Sequence, residues 1–218
     1  MNDYTVELED KDTMSIKQIL LVDGHGLAFR GFYALPEMTA PDGTPTQAIV
    51  GFFSMLLKVV EEWNPDGIGL FFDPKGPTKR HALYAEYKEG RKPTPESFKI
   101  QMPLILELSK AMGFPLFIEE GLEADDLIAA TALRAMGEGV HVTVLSADKD
   151  MFQFIQSGLE IARPTKGVSE IKRYDAERFT AEYGFAPATM ADYLALVGDA
   201  VDNIPGIPGI GDKTARQL

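Results

Sequence analysis

Cysteine is absent from this chain of 218 residues, and histidine occurs only three times. Without cysteine the chain forms neither disulfides nor thiolate metal sites, and we expect a cytoplasmic protein. No apolar run reaches the roughly 18 residues that a membrane-spanning helix requires. The acidic start of the sequence also lacks the apolar core of a signal peptide. We therefore expect no association with a membrane.

Basic residues are outnumbered overall but concentrated in one segment. The formal net charge of −12 by itself argues against a nucleic-acid partner. Between residues 75 and 99, however, seven of the 21 basic residues stand against three acidic ones. The seven are Lys75, Lys79, Arg80, Lys88, Arg91, Lys92 and Lys99. We expect this segment to meet an anionic partner and, from its poor apolar spacing, not to lie flat on the core. An exposed helix with a solvated charged face is the alternative.

Short apolar strands alternate with helices along most of the sequence. This alternation predicts an α/β fold with a mostly parallel, doubly wound sheet. The predicted strands are 19–22, 68–72, 114–118, 140–145, 159–162 and 171–174. The predicted helices are 48–63, one opened by Pro103, 127–136, a short one at 151–155, one capped by Asp175, and one opened by Pro187.

Carboxylates follow three of these strands and open one helix. They are Asp23, Asp73, the pair Asp148 and Asp150, and the helix-opening Glu123, Asp125 and Asp126. Parallel strands bring their carboxyl ends to one edge of the sheet. Two charges about 4 Å apart there repel by about 4 kcal/mol at an effective dielectric of 20, so the cluster needs cations. All-oxygen ligands suit Mg²⁺ or Mn²⁺. A solvated helix cap followed by a turn is the alternative.

The C-terminal residues combine two further acids with a Gly-Pro hairpin. Asp199 and Asp202 precede the stretch 204–215, which has the order of a helix–hairpin–helix. Its glycines allow close approach to a phosphate, and the next helix offers free N–H groups. The residues expected to contact DNA here are Gly206, Gly209, Gly211, Lys213 and Thr214. Hairpin carbonyls are also expected to suit K⁺. We expect the last helix to be marginal, because the chain stops seven residues after Gly211.

Several motifs together resemble the 5′-nuclease domain of bacterial DNA polymerase I, which is related to phage 5′-exonucleases and flap endonucleases. They are LLVDGHGLAFRGFYAL, FFDPKG, YKEGRKPTPE, GLEADDLIA, SADKD and GDAVDNIPGIPGIGDKTA. The resemblance implies a PIN-like α/β domain over 16–184, with a helical arch at about 75–100. It also implies a partial helix–three-turn–helix over 185–218, whereas 1–15 is expected to be a disordered acidic extension.

The resemblance also implies roles for individual residues. The family's acidic constellation falls on Asp23, Asp73, Glu123, Asp125, Asp126, Asp148, Asp150, Asp199 and Asp202. These acids would hold two Mg²⁺ or Mn²⁺ ions. The phosphate-contacting bases of the arch fall on Arg80, Lys88 and Arg91, of which Lys88 and Arg80 would offset charge on the scissile phosphate. Tyr84 or Tyr87 is expected to stack on an unpaired base, with packing of the arch as the alternative.

The implied function is cleavage of DNA at a 5′ flap, 5′ end or junction during replication and repair. We expect a monomer associated with the nucleoid, and a polymerase domain in the parent protein. Three alternatives share part of the pattern: a DxD phosphatase using Asp148 and Asp150, a PIN-type ribonuclease, and a non-catalytic DNA-junction binder. The phosphatase requires its DxD after the first strand, where this chain has Asp-Gly-His-Gly. The ribonuclease has no need of the hairpin, and a mere binder gains nothing from acids near phosphate.

Overall fold

The computed structural model describes residues 16–218, so the prediction for residues 1–15 lies outside the described part. The strands are β1 (Gln18–Asp23), β2 (Gly67–Phe71), β3 (Leu116–Phe117), β4 (His141–Leu145), β5 (Leu159–Lys166), β6 (Glu170–Tyr174), β7 (Gly198–Asp199) and β8 (Ile204–Pro205). The helices are α1 (Gly24–Ala34), α2 (Gln47–Trp63), α3 (Lys79–Leu83), α4 (Glu96–Ala111), α5 (Ala124–Gly137), α6 (Ala176–Tyr183), α7 (Met190–Val197) and α8 (Asp212–Ala215). Short 3-10 helices occupy Lys149–Phe154 and Pro187–Thr189.

Six strands form the main sheet in the order β3-β2-β1-β4-β5-β6. β1 lies at its centre and runs parallel to both neighbours, with Val22 opposite Leu70 on one side and Leu145 on the other. Only β6 runs antiparallel, joined to β5 by a hairpin. The predicted mostly parallel sheet is therefore confirmed, and the carboxyl ends of β1, β2 and β4 lie side by side.

Hydrophobic cores cover both faces of the sheet. Leu20 and Val22 point to the face covered by α1, α2 and α4, whereas Leu21 points to the opposite face, below α5. This two-residue alternation along a buried strand explains why the run 19–22 is apolar at every position. The doubly wound arrangement predicted from the sequence is thus confirmed.

Two local predictions about helices need correction. Pro103 does not open a helix; it lies inside α4, which begins seven residues earlier at Glu96. Proline removes one backbone donor, but the burial of Phe98 and Ile105 holds the helix together around it. The residues after Asp23 form α1 directly, a helix that the glycines of Gly-His-Gly conceal in the sequence. Among residues 16–218, no helix is both long and apolar enough to cross a membrane.

The last helix is short, as expected, but it packs against neighbouring aromatic residues. Ala215 of α8 is buried, and the Arg216 side chain lies against the rings of Tyr183, Phe185 and Tyr193. Its guanidinium also donates to Asp212 Oδ1 over 2.8 Å. Stacking of a cation on aromatic rings stabilises the turn without requiring a long helix.

Candidate active site

A cleft of about 420 Å³ opens at the carboxyl ends of the central strands. Its lining comes from three strand ends, the start of α5, α1 and the basic segment. Five predicted acids and two predicted bases share this lining: Asp23, Asp73, Glu123, Asp125, Asp148, Lys88 and Arg91. The sheet topology therefore brings together groups that lie up to 125 residues apart, counted from Asp23 to Asp148.

Asp23 is the acid at the end of the central strand. It caps α1, where Oδ1 accepts the Gly26 N–H over 2.9 Å, and Oδ2 accepts the Ser146 hydroxyl over 2.8 Å. A Cβ at Gly26 would lie 2.1 Å from Oδ2, so this close approach requires glycine. Burial raises the pKa of Asp23 to about 6, and the nearby charges of Asp73 and Asp148 add to the shift. Positive charge in the cleft would therefore be favourable.

Asp73 follows β2 and is fixed by the next two elements. Its Oδ1 accepts the Ala124 N–H at the start of α5 over 2.8 Å. Its own N–H donates to His25 Nδ1 over 3.1 Å, so His25 helps to fix the backbone at Asp73. Burial lowers the pKa of His25, so its ring favours the neutral form that accepts this hydrogen bond. One carboxylate oxygen of Asp73 remains free to face the cleft.

The three acids at the start of α5 surround one guanidinium. Arg80 Nη1 lies 2.6 Å from Glu123 Oε2 and 2.8 Å from Asp125 Oδ2. Arg80 Nη2 lies 2.7 Å from Asp126 Oδ1. Glu123 and Asp126 also form a reciprocal capping box at the helix start. Arg80 therefore offsets part of the negative charge of the cluster that the sequence assigns to metal ions.

Glu123 is the most heavily bonded of these acids. It is 4% exposed and accepts hydrogen bonds from four side chains. The donors are Thr78 Oγ1 at 2.9 Å, Arg80 Nη1 at 2.6 Å, Tyr87 Oη at 3.1 Å and Lys88 Nζ at 2.8 Å. Burial alone would raise its pKa, but Lys88, Thr78 and Arg80 outweigh that effect and hold the pKa below its ordinary value. For Asp125, burial prevails and the pKa is raised despite Arg80.

The basic segment lies against these acids, and among the described residues neither hydrophobic core cluster includes a residue of 75–95, in line with the prediction that it does not lie flat on the core. It contains the five-residue α3 followed by turns. Tyr87 is 6% exposed, and its hydroxyl donates to Glu123 and Asp202, each at 3.1 Å. The sequence masks this docking because polar and ionic contacts, which have no apolar periodicity, hold the segment down.

Asp148 and Asp150 form a second acidic pair that lacks such cations. Asp148 caps the 3-10 helix after β4, where its Oδ1 accepts the Asp150 N–H over 2.9 Å. Asp150 Oδ1 is buried without a hydrogen-bond partner. Burial and the charge of Asp148 raise the pKa of Asp150 to about 6, which Lys149 only partly opposes. A buried carboxylate oxygen without a donor suits a bound cation.

Asp199 and Asp202 approach the site through basic partners. Lys149 Nζ lies 3.3 Å from Asp199 Oδ2, and Arg91 Nη2 pairs with Asp202 Oδ1. Burial opposes ionisation of Asp199, but the Val201 N–H and Lys149 hold its pKa below the ordinary value. Four predicted acids stay outside the cleft lining, namely Asp126, Asp150, Asp199 and Asp202. All nine nevertheless belong to one connected region at this edge of the sheet.

The donor set fits divalent cations, although the carboxylates are not yet gathered around one. Within residues 16–218, no three acidic or histidine side chains stand close enough to form a ready metal centre. The raised pKa values of Asp23 and Asp150 and the unpartnered Asp150 oxygen mark unbalanced negative charge. All-oxygen ligands of this kind suit Mg²⁺ or Mn²⁺. The assignment of individual metal ligands stays a prediction.

Two site residues were not predicted from the sequence. Ser146 lies between β4 and Asp148, where its hydroxyl donates to Asp23 and accepts the Asp148 N–H over 3.0 Å. Its position directly after a strand, inside the motif SADKD, is the feature that could have revealed it. Thr78 donates to Glu123 from 45 residues away, and nothing in its local sequence indicates that contact.

The hairpin residues occupy a separate part of the C-terminal region. Gly206 packs against the end of α7, where a Cβ would lie 2.4 Å from the Val197 carbonyl carbon. Gly209 adopts φ 85°, and Gly211 is the N-cap of α8. Lys213 and Thr214, in the first turn of α8, are exposed. Their predicted DNA contacts stay predictions.

Comparison with known proteins decides the family. The model of the 5′-3′ exonuclease N-terminal resolvase-like domain matches residues 18–184, and that of the 5′-3′ exonuclease C-terminal SAM fold matches residues 185–218. The chain belongs to the 5′–3′ exonuclease family. The family resemblance inferred from the motifs, and with it the classification as a nuclease of this family, is confirmed.

Bacterial DNA polymerases I are similar to this chain. The thermostable DNA polymerase I of Thermus aquaticus is 44% identical over 201 residues, covering 92% of this chain and 23% of that protein. The DNA polymerase I of Mycobacterium leprae is 42% identical, covering 91% of this chain and 22% of the relative. The chain thus spans less than a quarter of the length of these relatives.

Solved structures share the fold of this 5′–3′ exonuclease family member. The T5 D15 protein co-crystallised with metal ions matches with a TM-score of 0.74 at 22% identity, covering 92% of this chain and 74% of that one. The catalytic core of Rad2 in complex with DNA substrate matches with a TM-score of 0.55 at 18% identity, covering 93% and 60%. At these identities the likeness establishes the fold, and the predicted fold class is confirmed.

Proposed function

We propose that the chain is a structure-specific 5′ nuclease that hydrolyses phosphodiester bonds in DNA, at 5′ flaps or 5′ ends, during replication and repair. The observation that supports it best is the cleft in which five carboxylates from three strand ends and one helix start face two basic side chains. Anionic DNA reaches such an acidic cleft only when cations accompany it. The polymerase relatives and the DNA-bound Rad2 core agree with a DNA substrate.

The chain's acids would hold two divalent ions, Mg²⁺ or Mn²⁺. Asp73, Glu123 and Asp125 would serve one side of the cleft, and Asp148 and Asp150 the other. When bound, such ions supply an activated water and stabilise the charge that develops on the phosphate oxygens. The T5 D15 protein with metal ions agrees with this requirement. K⁺ at the Gly-Pro hairpin and a monomeric state belong to the same proposal.

The protein's own bases position and stabilise the phosphate. Lys88 reaches into the cleft with a side chain that is 19% exposed, and we assign it to the charge that develops during cleavage. Arg91, at 46% exposure, lies at the rim and is assigned to holding the DNA backbone. Arg80 would follow Lys88 in contacting phosphate once it leaves its carboxylate partners. Tyr84 remains a candidate for base stacking, whereas Tyr87 has its hydroxyl committed to two acids.

The decisive experiment is cleavage of a labelled 5′-flap duplex by Asp73→Asn and Asp125→Asn. Metal ions stabilise the charge of the transition state by several kcal/mol, and each of these acids would help to hold them. We therefore expect the single-turnover rate to fall by about 10³-fold or more. The Asp73→Asn side chain keeps the oxygen that accepts the Ala124 N–H, so the fold should survive. Asp192→Asn, on the exposed start of α7, is the matched control and should cleave normally.

Three outcomes would contradict the proposal. Near-normal turnover of both variants at saturating Mg²⁺ would remove these acids from the metal site. Release of label from single-stranded RNA but not from the flap would favour a PIN-type ribonuclease. Binding of the flap without any metal-dependent cleavage by the unaltered chain would favour a junction-binding protein.

A further inference from the structure

The basic side chains that DNA would need at this site form ion pairs within the protein. Arg80 places one guanidinium nitrogen between Glu123 and Asp125 and the other on Asp126, at 2.6 to 2.8 Å. Lys88 pairs with Glu123 over 2.8 Å, and Arg91 pairs with Asp202. In this arrangement the carboxylates at the start of α5 and the three bases are already paired within the protein. A dication and a guanidinium repel each other, so the two compete for the same oxygens.

A network of contacts holds the basic segment in this position. Tyr84 Oη donates to the Asn203 carbonyl over 3.1 Å, and Asn203 Nδ2 donates to the Glu86 carbonyl over 2.9 Å. The Lys88 N–H donates to the Asp202 carbonyl over 3.0 Å. We call these contacts between residues 84–91 and 202–203 the latch.

The backbone within the latch is strained. Lys88 and Asn203 adopt φ angles of 62° and 59°, a left-handed conformation that disfavours residues with a side chain. Both residues take part in the contacts that maintain this conformation. Loss of the latch would remove the contacts that hold Lys88 in this conformation, whereas asparagine adopts it readily.

We propose that Arg80 is an internal counter-ion that must leave the α5 carboxylates before divalent metal binds there, and that it thereby couples metal binding to DNA binding. This inference rests on the proposed function and deepens it. A dication on the α5 carboxylates displaces Arg80 and opens the latch, which frees Arg80, Lys88 and Arg91 for phosphate. By linkage, DNA that engages these bases tightens metal binding by the same factor.

The first test measures Mn²⁺ binding to the DNA-free chain by electron paramagnetic resonance. Arg80→Ala removes the competitor, so Mn²⁺ should bind more tightly, by at least about fivefold, the lower end of typical coupling. Lys79→Ala is the matched control, because Lys79 is exposed on the same helix. It removes one charge without an ion pair to these acids and should leave Mn²⁺ affinity within about twofold of the unaltered chain. Equal or weaker Mn²⁺ binding by Arg80→Ala would overturn the proposal.

The variant Arg80→Lys serves as a control for effects of the substitution on folding. This variant keeps the charge but replaces the two-armed guanidinium with a single ammonium, which cannot bridge three carboxylates. We expect an intermediate Mn²⁺ affinity and an unchanged circular dichroism spectrum. An affinity identical to that of the unaltered chain, with the fold intact, would show that the charge alone competes with the metal ion and would still support the counter-ion role, whereas an affinity higher than that of Arg80→Ala would overturn it.

A second test follows the latch directly. Because the chain lacks cysteine, spin labels on the exposed positions Glu89→Cys and Ala200→Cys report the distance across the latch. Addition of diamagnetic Mg²⁺ with a 5′-flap duplex should lengthen and broaden this distance, and the change should need less Mg²⁺ in Arg80→Ala. An unchanged distance at saturating Mg²⁺ and DNA would overturn the latch. Neither test uses cleavage, so failure of the proposed nuclease activity remains distinguishable.

Discussion

The two acidic groups at the cleft both carry negative charge, but they differ in how basic side chains compensate that charge. Glu123, Asp125 and Asp126 at the start of α5 share Arg80, and Lys88 adds a second cation. Among residues 16–218, no Lys or Arg side chain forms an ion pair with Asp148 or Asp150, and an oxygen of Asp150 is buried without a hydrogen bond. Burial and repulsion raise the pKa of Asp150 to about 6, whereas the cations lower the pKa of Glu123. Similar acidic motifs thus differ in how readily their carboxyl groups ionise, because different segments pack against them.

This contrast suggests two ways of occupying the cleft with cations. On the α5 side, a metal ion must replace a cation that already stabilises the fold. On the Asp148 side, a metal ion would fill a place where negative charge is uncompensated. We therefore expect the Asp148 side to accept the first ion and the α5 side to depend on movement of the basic segment.

The largest difference expected between the two sides concerns the bases of the α5 side. Lys88→Ala should lower the single-turnover rate of flap cleavage by at least about 10²-fold, as is typical for loss of one electrostatic stabiliser. Arg91→Ala should mainly weaken binding and reduce its salt dependence, because Arg91 lies at the rim. Lys92→Ala, an exposed neighbour, serves as the control. Equal losses for both variants, seen only in affinity, would erase the distinction between the two bases.

A smaller effect concerns stability and should have opposite signs on the two sides. Glu123→Gln leaves Lys88 without a charged partner and removes one of the three carboxylates around Arg80, and should reduce the free energy of unfolding by about 1–3 kcal/mol. Asp150→Asn removes an unbalanced buried charge, and should raise it by about 1–2 kcal/mol at pH 7.5 without metal. Urea unfolding followed by circular dichroism in EDTA measures both values. Destabilisation of similar size in both variants would show that the two groups are balanced alike.

The smallest effect is a pH dependence that belongs to the Asp148 side. The pKa of Asp150 is raised from 3.8 to about 6 in the folded state, so between these values the folded protein binds more protons than the unfolded chain. The contribution of Asp150 to stability must therefore fall as pH rises through this window, and Asp23 adds to the trend with its own pKa of about 6, whereas His25, whose pKa burial lowers, contributes in the opposite direction. Glu123 contributes oppositely, because its lowered pKa adds stability that is lost only at acid pH.

Unfolding at pH 5 and pH 7.5 in EDTA checks this dependence. The unaltered chain should be less stable at pH 7.5 than at pH 5, and Asp150→Asn should show a smaller difference. Saturating Mg²⁺ should remove the loss at pH 7.5, because the ion binds the ionised carboxylates. A stability that rises from pH 5 to pH 7.5 in EDTA would contradict the assigned balance.

The sequence by itself determined the fold class, the carboxylates at the strand ends and the family. These features follow from local patterns: apolar runs make the strands, and an acid directly after a strand must lie at the sheet edge. Asp23, Asp73 and Asp148 could therefore be assigned to one cleft before any contact was known. The ends of helices were harder to predict. Proline normally stands at the start of a helix, but Pro103 lies inside α4 because burial of that helix outweighs the cost of the proline.

Only the tertiary structure decided how the charges are paired. Arg80 meets Glu123 across 43 residues, and Tyr87 meets Asp202 across 115. Neither pairing leaves a periodic trace in the sequence, since a single ionic or hydrogen-bonded contact depends on how segments pack and not on a repeated spacing. For the same reason the sequence marks both acidic groups as metal ligands, and only the folded chain distinguishes the one occupied by arginine from the one left unbalanced.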